Sequence, residues 1–351
     1  MSKGSKKKTS RVRKRAQDAR NDAFSHESAR VFRAGKESGD TAPALAISAD
    51  AQVNATVVSP YGMLCFVEMD GAELLCRVGD GLISGKSSIL APGDRVRVET
   101  LEGQLLVQEM QTRRTKLSRP SISVERAGGK RVTEQVFAAN IDLLVVVAAA
   151  AKPAYKPRLI DRFLIAAEVG GVAPVLCVNK MDLVKSEPER IGPLRELGVT
   201  VLNTSCETGQ GLDKLRALLR GKLSVFTGHS GVGKSTLVNA LDPKHEIVTR
   251  EVSDANEKGR HTTSTSRLYH LDNDIHIIDT PGIKQLGLWG VSREELAFYF
   301  PEIASAAESC RFRDCIHIHE PGCSVLAAVE DGTLSRHRYD SYLRIRETLK
   351  D

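Results

Sequence analysis

The eight residues Gly228-His229-Ser230-Gly231-Val232-Gly233-Lys234-Ser235 constrain this chain more than any other feature. They fit a phosphate-binding loop, and they lie where such a loop has to lie, after the strand pattern of 224–226 and before the helical pattern of 235–241. A strand must deliver the loop and a helix must leave it, because the glycines let backbone N–H groups close around an anion at the helix N-terminus. In that arrangement Lys234 neutralises β- and γ-phosphate oxygens, the Ser235 hydroxyl ligates Mg²⁺ and Thr236 is placed for the α-phosphate.

A phosphate loop does not choose the base, but Asn179-Lys180-Met181-Asp182, at the end of the apolar run 175–178, supplies that selectivity. The Asp182 carboxylate accepts two hydrogen bonds from guanine N1 and N2, which adenine cannot offer, and acceptors left unpaired reject adenine strongly. Asn179 and Lys180 brace the loop and cover the base. Thr204-Ser205-Cys206 adds backbone donors for the guanine oxygen from Ser205 and Cys206, with Cys206 standing where a small Ala is usual. Asp279-Thr280-Pro281-Gly282 follows the strand pattern of 275–278, so Asp279 is the acidic Mg²⁺ partner and the Gly282 N–H senses the γ-phosphate. The polar stretch 246–265 contains Gly259-Arg260-His261-Thr262-Thr263 and reads as a switch loop that Thr262 or Thr263 pins to Mg²⁺ when the third phosphate is present.

The order of these motifs is inverted, since the guanine-reading segments precede the phosphate loop. A circular permutation explains it, because domain termini often lie close enough to be joined and reopened elsewhere. The residue after Gly282 is Ile283, where many GTPases carry a Gln that orients the attacking water, so unaided hydrolysis is expected to be slow. His261 is the first candidate to position water in its place, and His229 is the rival.

Around this α/β region the texture changes twice. Residues 51–117 hold five short β-rich runs at 53–58, 63–68, 73–78, 95–100 and 105–110, separated by turns such as Asp70-Gly71 and Pro92-Gly93-Asp94. They predict a small barrel, of the oligonucleotide-binding (OB) kind or SH3-like. An Arg-rich connector over 113–120 follows, and then alternating strand and helix patterns that predict a mostly parallel sheet. Near the C-terminus Cys310-x4-Cys315-x-His317-x5-Cys323 offers three thiolates and an imidazole, the closed set that suits one structural Zn²⁺, with His319 as a competing fourth ligand. Residues 335–350 read as a helix whose Arg336, Arg338, Arg344 and Arg346 are expected on a solvated face. Cys65, Cys76, Cys177 and Cys206 are scattered, as small core residues are.

The net charge of +6 is unevenly placed. Residues 1–36 carry 12 Lys/Arg against 3 Asp/Glu, which leaves the other 315 residues at −3. The N-terminal 44 residues therefore read as a basic disordered arm suited to a polyphosphate surface. The longest apolar run, 143–151, is too short to cross a bilayer, and no secretory pattern or disulfide framework is present, so a reducing cytoplasm is expected.

Taken together these residues resemble a known family, the circularly permuted GTPases of small-ribosomal-subunit assembly (the small-ribosomal-subunit-dependent GTPase A, RsgA or YjeQ, family). The likeness runs from about residue 45 to 345 and covers the barrel, the motif order, 228–235, 259–263, 279–282 and the Cys310, Cys315, His317, Cys323 spacing. Beyond the basic arm (1–44), which is read from charge and composition and lies outside the likeness, it implies an OB barrel (45–119), a permuted GTPase domain (120–290) and a zinc-binding helical unit (291–351). It also implies GTP and GDP with Mg²⁺ as ligands, and binding to the small ribosomal subunit and its rRNA. Subunit-stimulated hydrolysis in late maturation follows, with His261 as the catalytic residue. A monomer is the default. The alternative is a GTP-occupied RNA-binding scaffold without significant hydrolysis, which Ile283 favours and His261 opposes.

Overall fold

The computed structural model describes residues 47–84, 87–124, 130–242, 266–280 and 287–349. The basic arm, His261, Thr262, Thr263, Gly282 and Ile283 lie outside the described residues.

The first part of the described chain is a barrel. Its strands are β1 (Ile47–Ser48), β2 (Ala55–Tyr61), β3 (Leu64–Met69), β4 (Ala72–Val78), the short ribbon β5 (Ile83–Ser84) and β6 (Ser87–Ser88), β7 (Arg95–Leu101) and β8 (Gln104–Gln111). The five long strands close in the order β2-β3-β4-β8-β7 and back to β2, with β4 and β8 parallel and the other pairs antiparallel. That crossover belongs to the Greek-key ring of an OB barrel and not to an SH3-like meander, which settles the choice left open by strand count. Alternate residues point inward: Val57, Cys65, Val67, Cys76, Val78, Val96 and Val107 have no exposure. Burial pushes the Cys65, Cys76 and Cys177 thiols up, so these are inert core residues.

The connector expected over 113–120 is largely strand. β9 (Lys116–Val124) pairs antiparallel with β10 (Lys130–Ala139). Its cations are engaged within the protein: Arg113 makes a two-pronged bond to the fully buried Asp94, with Nε and Nη2 each 2.8 Å from the carboxylate. Arg114 bonds Asp142 at 2.7 Å and Lys116 bonds Glu134 at 2.8 Å. A composition rich in Arg therefore marks a tie between barrel and sheet here, with carboxylates brought in from distant parts of the sequence.

The α/β part follows as β11 (Leu143–Ala149), α1 (Pro157–Val169), β12 (Ala173–Asn179), α2 (Gly192–Glu196), β13 (Thr200–Asn203), α3 (Leu212–Leu219), β14 (Lys222–Gly228), α4 (Lys234–Leu241), β15 (Arg267–Leu271) and β16 (Ile275–Asp279). The sheet order is β13-β12-β11-β14-β16-β15, parallel throughout except for β15, which pairs antiparallel with β16. All seven residues of β11 are buried, as a central strand covered on both faces requires. α1 starts with proline and turns Ile160, Phe163 and Ala167 onto the sheet. α3 and α4 cover the other face with Leu215, Leu219, Leu237 and Leu241.

The C-terminal helices α5 (Pro301–Ala307), α6 (Ser324–Glu330) and α7 (Arg336–Thr348) have no separate core. Phe300, Ile303, Val325, Tyr342 and Ile345 belong to the same apolar cluster as Ile160, Phe163 and Leu176 of the α/β part. Arg338 departs from the expected solvated face: it is 9% exposed, its guanidinium bonds both Asp161 of α1 and Glu302 of α5, and it stacks 4.6 Å from the Phe300 ring centroid. Burial pushes the Asp161 carboxyl up, and the facing guanidinium works against that shift. Removing one member of such a buried group strands the others. Arg338→Ala should lower unfolding free energy by about 3 kcal/mol in urea titrations, and Arg338→Met combined with Asp161→Leu should recover most of it; an unaffected single variant would contradict this role.

Candidate nucleotide and metal sites

Every described nucleotide motif sits at the carboxyl end of a parallel strand. β12 ends at Asn179, β13 at Asn203, β14 at Gly228 and β16 at Asp279. The ladder levels them: Ala149 pairs with Asn179, Val147 with Gly228, and Val178 with Asn203. In open α/β sheets this edge is where ligands bind. The inverted chain order therefore coexists with one contiguous site.

Two glycines show why the phosphate loop has its composition. Gly228 has φ +145°, and a Cβ there would lie 2.2 Å from Val147 O on the neighbouring strand. Gly233 has φ +92°, and a Cβ there would lie 2.5 Å from Asn179 Nδ2. Only glycine lets the loop turn this close to β11 and to the base-reading segment. With α4 starting at Lys234, the N-terminal amides of that helix face the loop. Lys234 Nζ donates to Gly228 O at 3.1 Å and His229 O at 3.2 Å, folding over the loop it is expected to serve.

Asn179 is the brace. It is 2% exposed, its Nδ2 donates to Val232 O at 3.0 Å, and its Oδ1 accepts from Thr204 Oγ1 at 3.2 Å. Lys180, held at φ +62°, donates from Nζ to Gly231 O and Lys152 O, both at 2.6 Å. Asp182 is exposed and accepts from Ser205 Oγ at 2.5 Å, so Ser205 aims the carboxylate. The Ser205 N–H is committed to Gln210 O at 3.0 Å, which puts Cys206 forward as the backbone donor of this segment. Burial pushes the Cys206 thiol up, keeping it a neutral neighbour. Asp279 ends β16, beside the strand that delivers the phosphate loop. His229 has both ring nitrogens occupied: Lys156 Nζ donates to Nε2 at 2.7 Å and Nδ1–H donates to Ser230 O at 2.7 Å. That leaves it no lone pair for water and weakens its claim to the catalytic position. Sequence reading passed over Lys152 and Lys156, because a lysine in a loop carries no pattern.

Cys310, Cys315, His317 and Cys323 come together, with one ligand atom from each within 4.8 Å of the others. Cys310 Sγ lies 3.9 Å from Cys323 Sγ, and His317 Nδ1 lies 3.6 and 3.5 Å from these two sulfurs. A tetrahedron with Zn–S of about 2.3 Å and Zn–N of about 2.0 Å has edges of about 3.5 to 3.8 Å. The donor set fits. His319 stands outside the group. The loop is set from below: Tyr339 OH donates to His317 O at 2.7 Å, and Tyr342 OH donates to Ile316 O at 3.0 Å. Desolvation alone would raise the Glu320 carboxyl, but N–H donors from Ile316, Ile318 and His319 reverse this and hold it at about 2.

Comparison with known proteins gives the family. The RsgA GTPase family model matches residues 110–289. The chain belongs to the RsgA GTPase family. A small ribosomal subunit biogenesis GTPase RsgA of Chlorobaculum tepidum is 40% identical over 291 residues, covering 80% of this chain and 93% of that protein. One from Moorella thermoacetica is 38% identical, covering 82% and 94%. Among solved structures, YjeQ from Thermotoga maritima superposes with a TM-score of 0.63 at 30% identity, covering 85% of this chain and 98% of that one. YloQ, a circularly permuted GTPase, gives 0.60 at 26% identity, covering 86% and 96%. As an RsgA-family GTPase the chain is a GTP hydrolase with a permuted domain order. No helix among the described residues is long and apolar enough to cross a membrane.

Proposed function

We propose that this GTPase docks on immature small ribosomal subunits, hydrolyses GTP to GDP and phosphate when the subunit stimulates it, and so times a late step of maturation. The observation that carries the nucleotide half is the convergence of Asn179, Ser205, Gly228 and Asp279 on one sheet edge in spite of the inverted order. The ribosomal half is supported by the relatives being small ribosomal subunit biogenesis GTPases, by the OB barrel and by the basic arm. rRNA contact by an arm of this charge is sequence-tolerant and salt-sensitive. The protein acts as a cytoplasmic monomer.

In this reading Asp182, aimed by Ser205, takes guanine N1 and N2, and Cys206 N–H meets the guanine oxygen. Asn179 and Lys180 hold the phosphate loop against the base-reading segment. The amides of 229–236 and the Lys234 ammonium bind phosphates; Ser235 and Asp279, joined by Thr262 or Thr263, hold Mg²⁺, which would neutralise charge between the β- and γ-phosphates. Gly282 senses the γ-phosphate and His261 positions water. Cys310, Cys315, His317 and Cys323 hold one Zn²⁺ that fixes the loop above α7.

Three outcomes are expected. Asp182→Asn should weaken GTP about 100-fold and favour xanthosine triphosphate, read by nucleotide titration; unchanged GTP affinity would remove Asp182 from base reading. Purified protein should hold about one zinc per chain by mass spectrometry, lost in Cys323→Ser; full zinc in that variant would contradict the ligand set. Small subunits should raise turnover, and His261→Ala should cut the stimulated rate at least about 100-fold. Equal rates with and without subunits would favour the second reading, a GTP-occupied RNA-binding scaffold, which Ile283 supports.

A further inference from the structure

Lys156 is the last residue before α1, far in sequence from the phosphate loop and outside every nucleotide motif. Its segment is nonetheless fastened to that loop by three separate contacts. Lys180 Nζ bridges Lys152 O and Gly231 O, both at 2.6 Å. Pro153 Cδ lies 3.8 Å from where a Gly231 Cβ would stand. Lys156 Nζ ends 2.7 Å from His229 Nε2.

Three ammonium groups thus terminate on the single stretch 228–231: Lys234 on Gly228 O and His229 O, Lys180 on Gly231 O, and Lys156 on the His229 ring. The first two belong to the recognised motifs. Lys156 does not, and among the described residues its acceptor is a neutral imidazole and no carboxylate pairs with it. His229 is fixed in the tautomer that accepts, because its Nδ1–H is spent on Ser230 O. An imidazole lone pair is a weaker acceptor for an ammonium than a doubly charged terminal phosphate, because the phosphate adds attraction between full opposite charges that a neutral ring does not supply. The Lys156 stem is exposed and free to reorient, and its four-carbon reach moves the ammonium several ångströms.

We propose that Lys156 is a γ-phosphate-sensing residue: with no triphosphate bound it rests on His229, and when GTP occupies the loop its ammonium transfers to a γ-phosphate oxygen. The transfer discriminates GTP from GDP, because GDP presents no third phosphate to receive it. It also releases the Nε2 lone pair of His229. This inference rests on the nucleotide reading above and adds to it a specificity residue that the motifs do not contain.

The test is equilibrium binding of GDP and of the non-hydrolysable analogue guanosine 5′-[β,γ-imido]triphosphate, with Mg²⁺, to the full chain. Lys156→Ala should weaken the triphosphate analogue about tenfold and leave GDP within about twofold, and Lys156→Arg should restore most of the preference. Equal losses for both nucleotides in Lys156→Ala, or no loss for either, would overturn the assignment. If the unaltered protein bound neither nucleotide, the nucleotide reading itself would fall. Far-UV circular dichroism and thermal unfolding of each variant, matched to the unaltered protein, separate an equal loss for both nucleotides from misfolding.

Discussion

The site depends on one buried carboxamide. Asn179 gives a hydrogen to the carbonyl of Val232 and takes one from the hydroxyl of Thr204, so the phosphate loop, the guanine-reading segment and the strand end between them are tied at a single side chain. It is nearly inaccessible to water, and a polar group there is costly unless its bonds are made. That cost is what gives the bond its positional force. Gly233 approaches so closely that no side chain fits between the two segments, and Thr204 is itself fixed by Cys177 Sγ at 3.2 Å. Loops separated by more than fifty residues thereby become one rigid rim.

This rim explains why permutation is tolerated. Hydrogen bonds and packing register spatial neighbours, and β11, β12 and β14 are neighbours whichever end of the domain the chain enters first. What permutation alters is attachment. The segment that follows Asp279 now leads into the Cys/His unit, and the barrel meets the sheet at β15, where Arg267 bonds Glu73 at 2.5 Å and Ser59 Oγ donates to Ser266 O at 3.1 Å. β15 pairs along its whole length with β16, so barrel contact and the Asp279 strand are one hydrogen-bonded step apart.

Much of this was legible in the residues. Fixed-offset motifs and period-two runs report local chemistry, and the five barrel strands, α4 and the Cys310, Cys315, His317 and Cys323 set were read close to where they stand. Interactions that join distant segments left no local trace. Arg113 read only as part of a connector and Arg338 as surface charge, because Asp94, Asp161 and Glu302 lie 19, 177 and 36 residues away. β15 escaped notice because its alternation is interrupted by His270, which faces His276 across the ladder at 2.7 Å and Glu68 of the barrel at 2.5 Å. The choice between barrel topologies needed the parallel pairing of β4 with β8, which no strand inventory contains.

The single apolar cluster shared by the α/β part and the C-terminal helices has a consequence for how the molecule is made. Phe163 and Ile160 share one apolar cluster with Tyr342 and Ile345, which are synthesised long after them. A nascent chain that has already emerged with its complete nucleotide-binding sheet still presents a greasy face. The motif order thus delays completion: the apolar face of α1 is covered only when α7 closes over it.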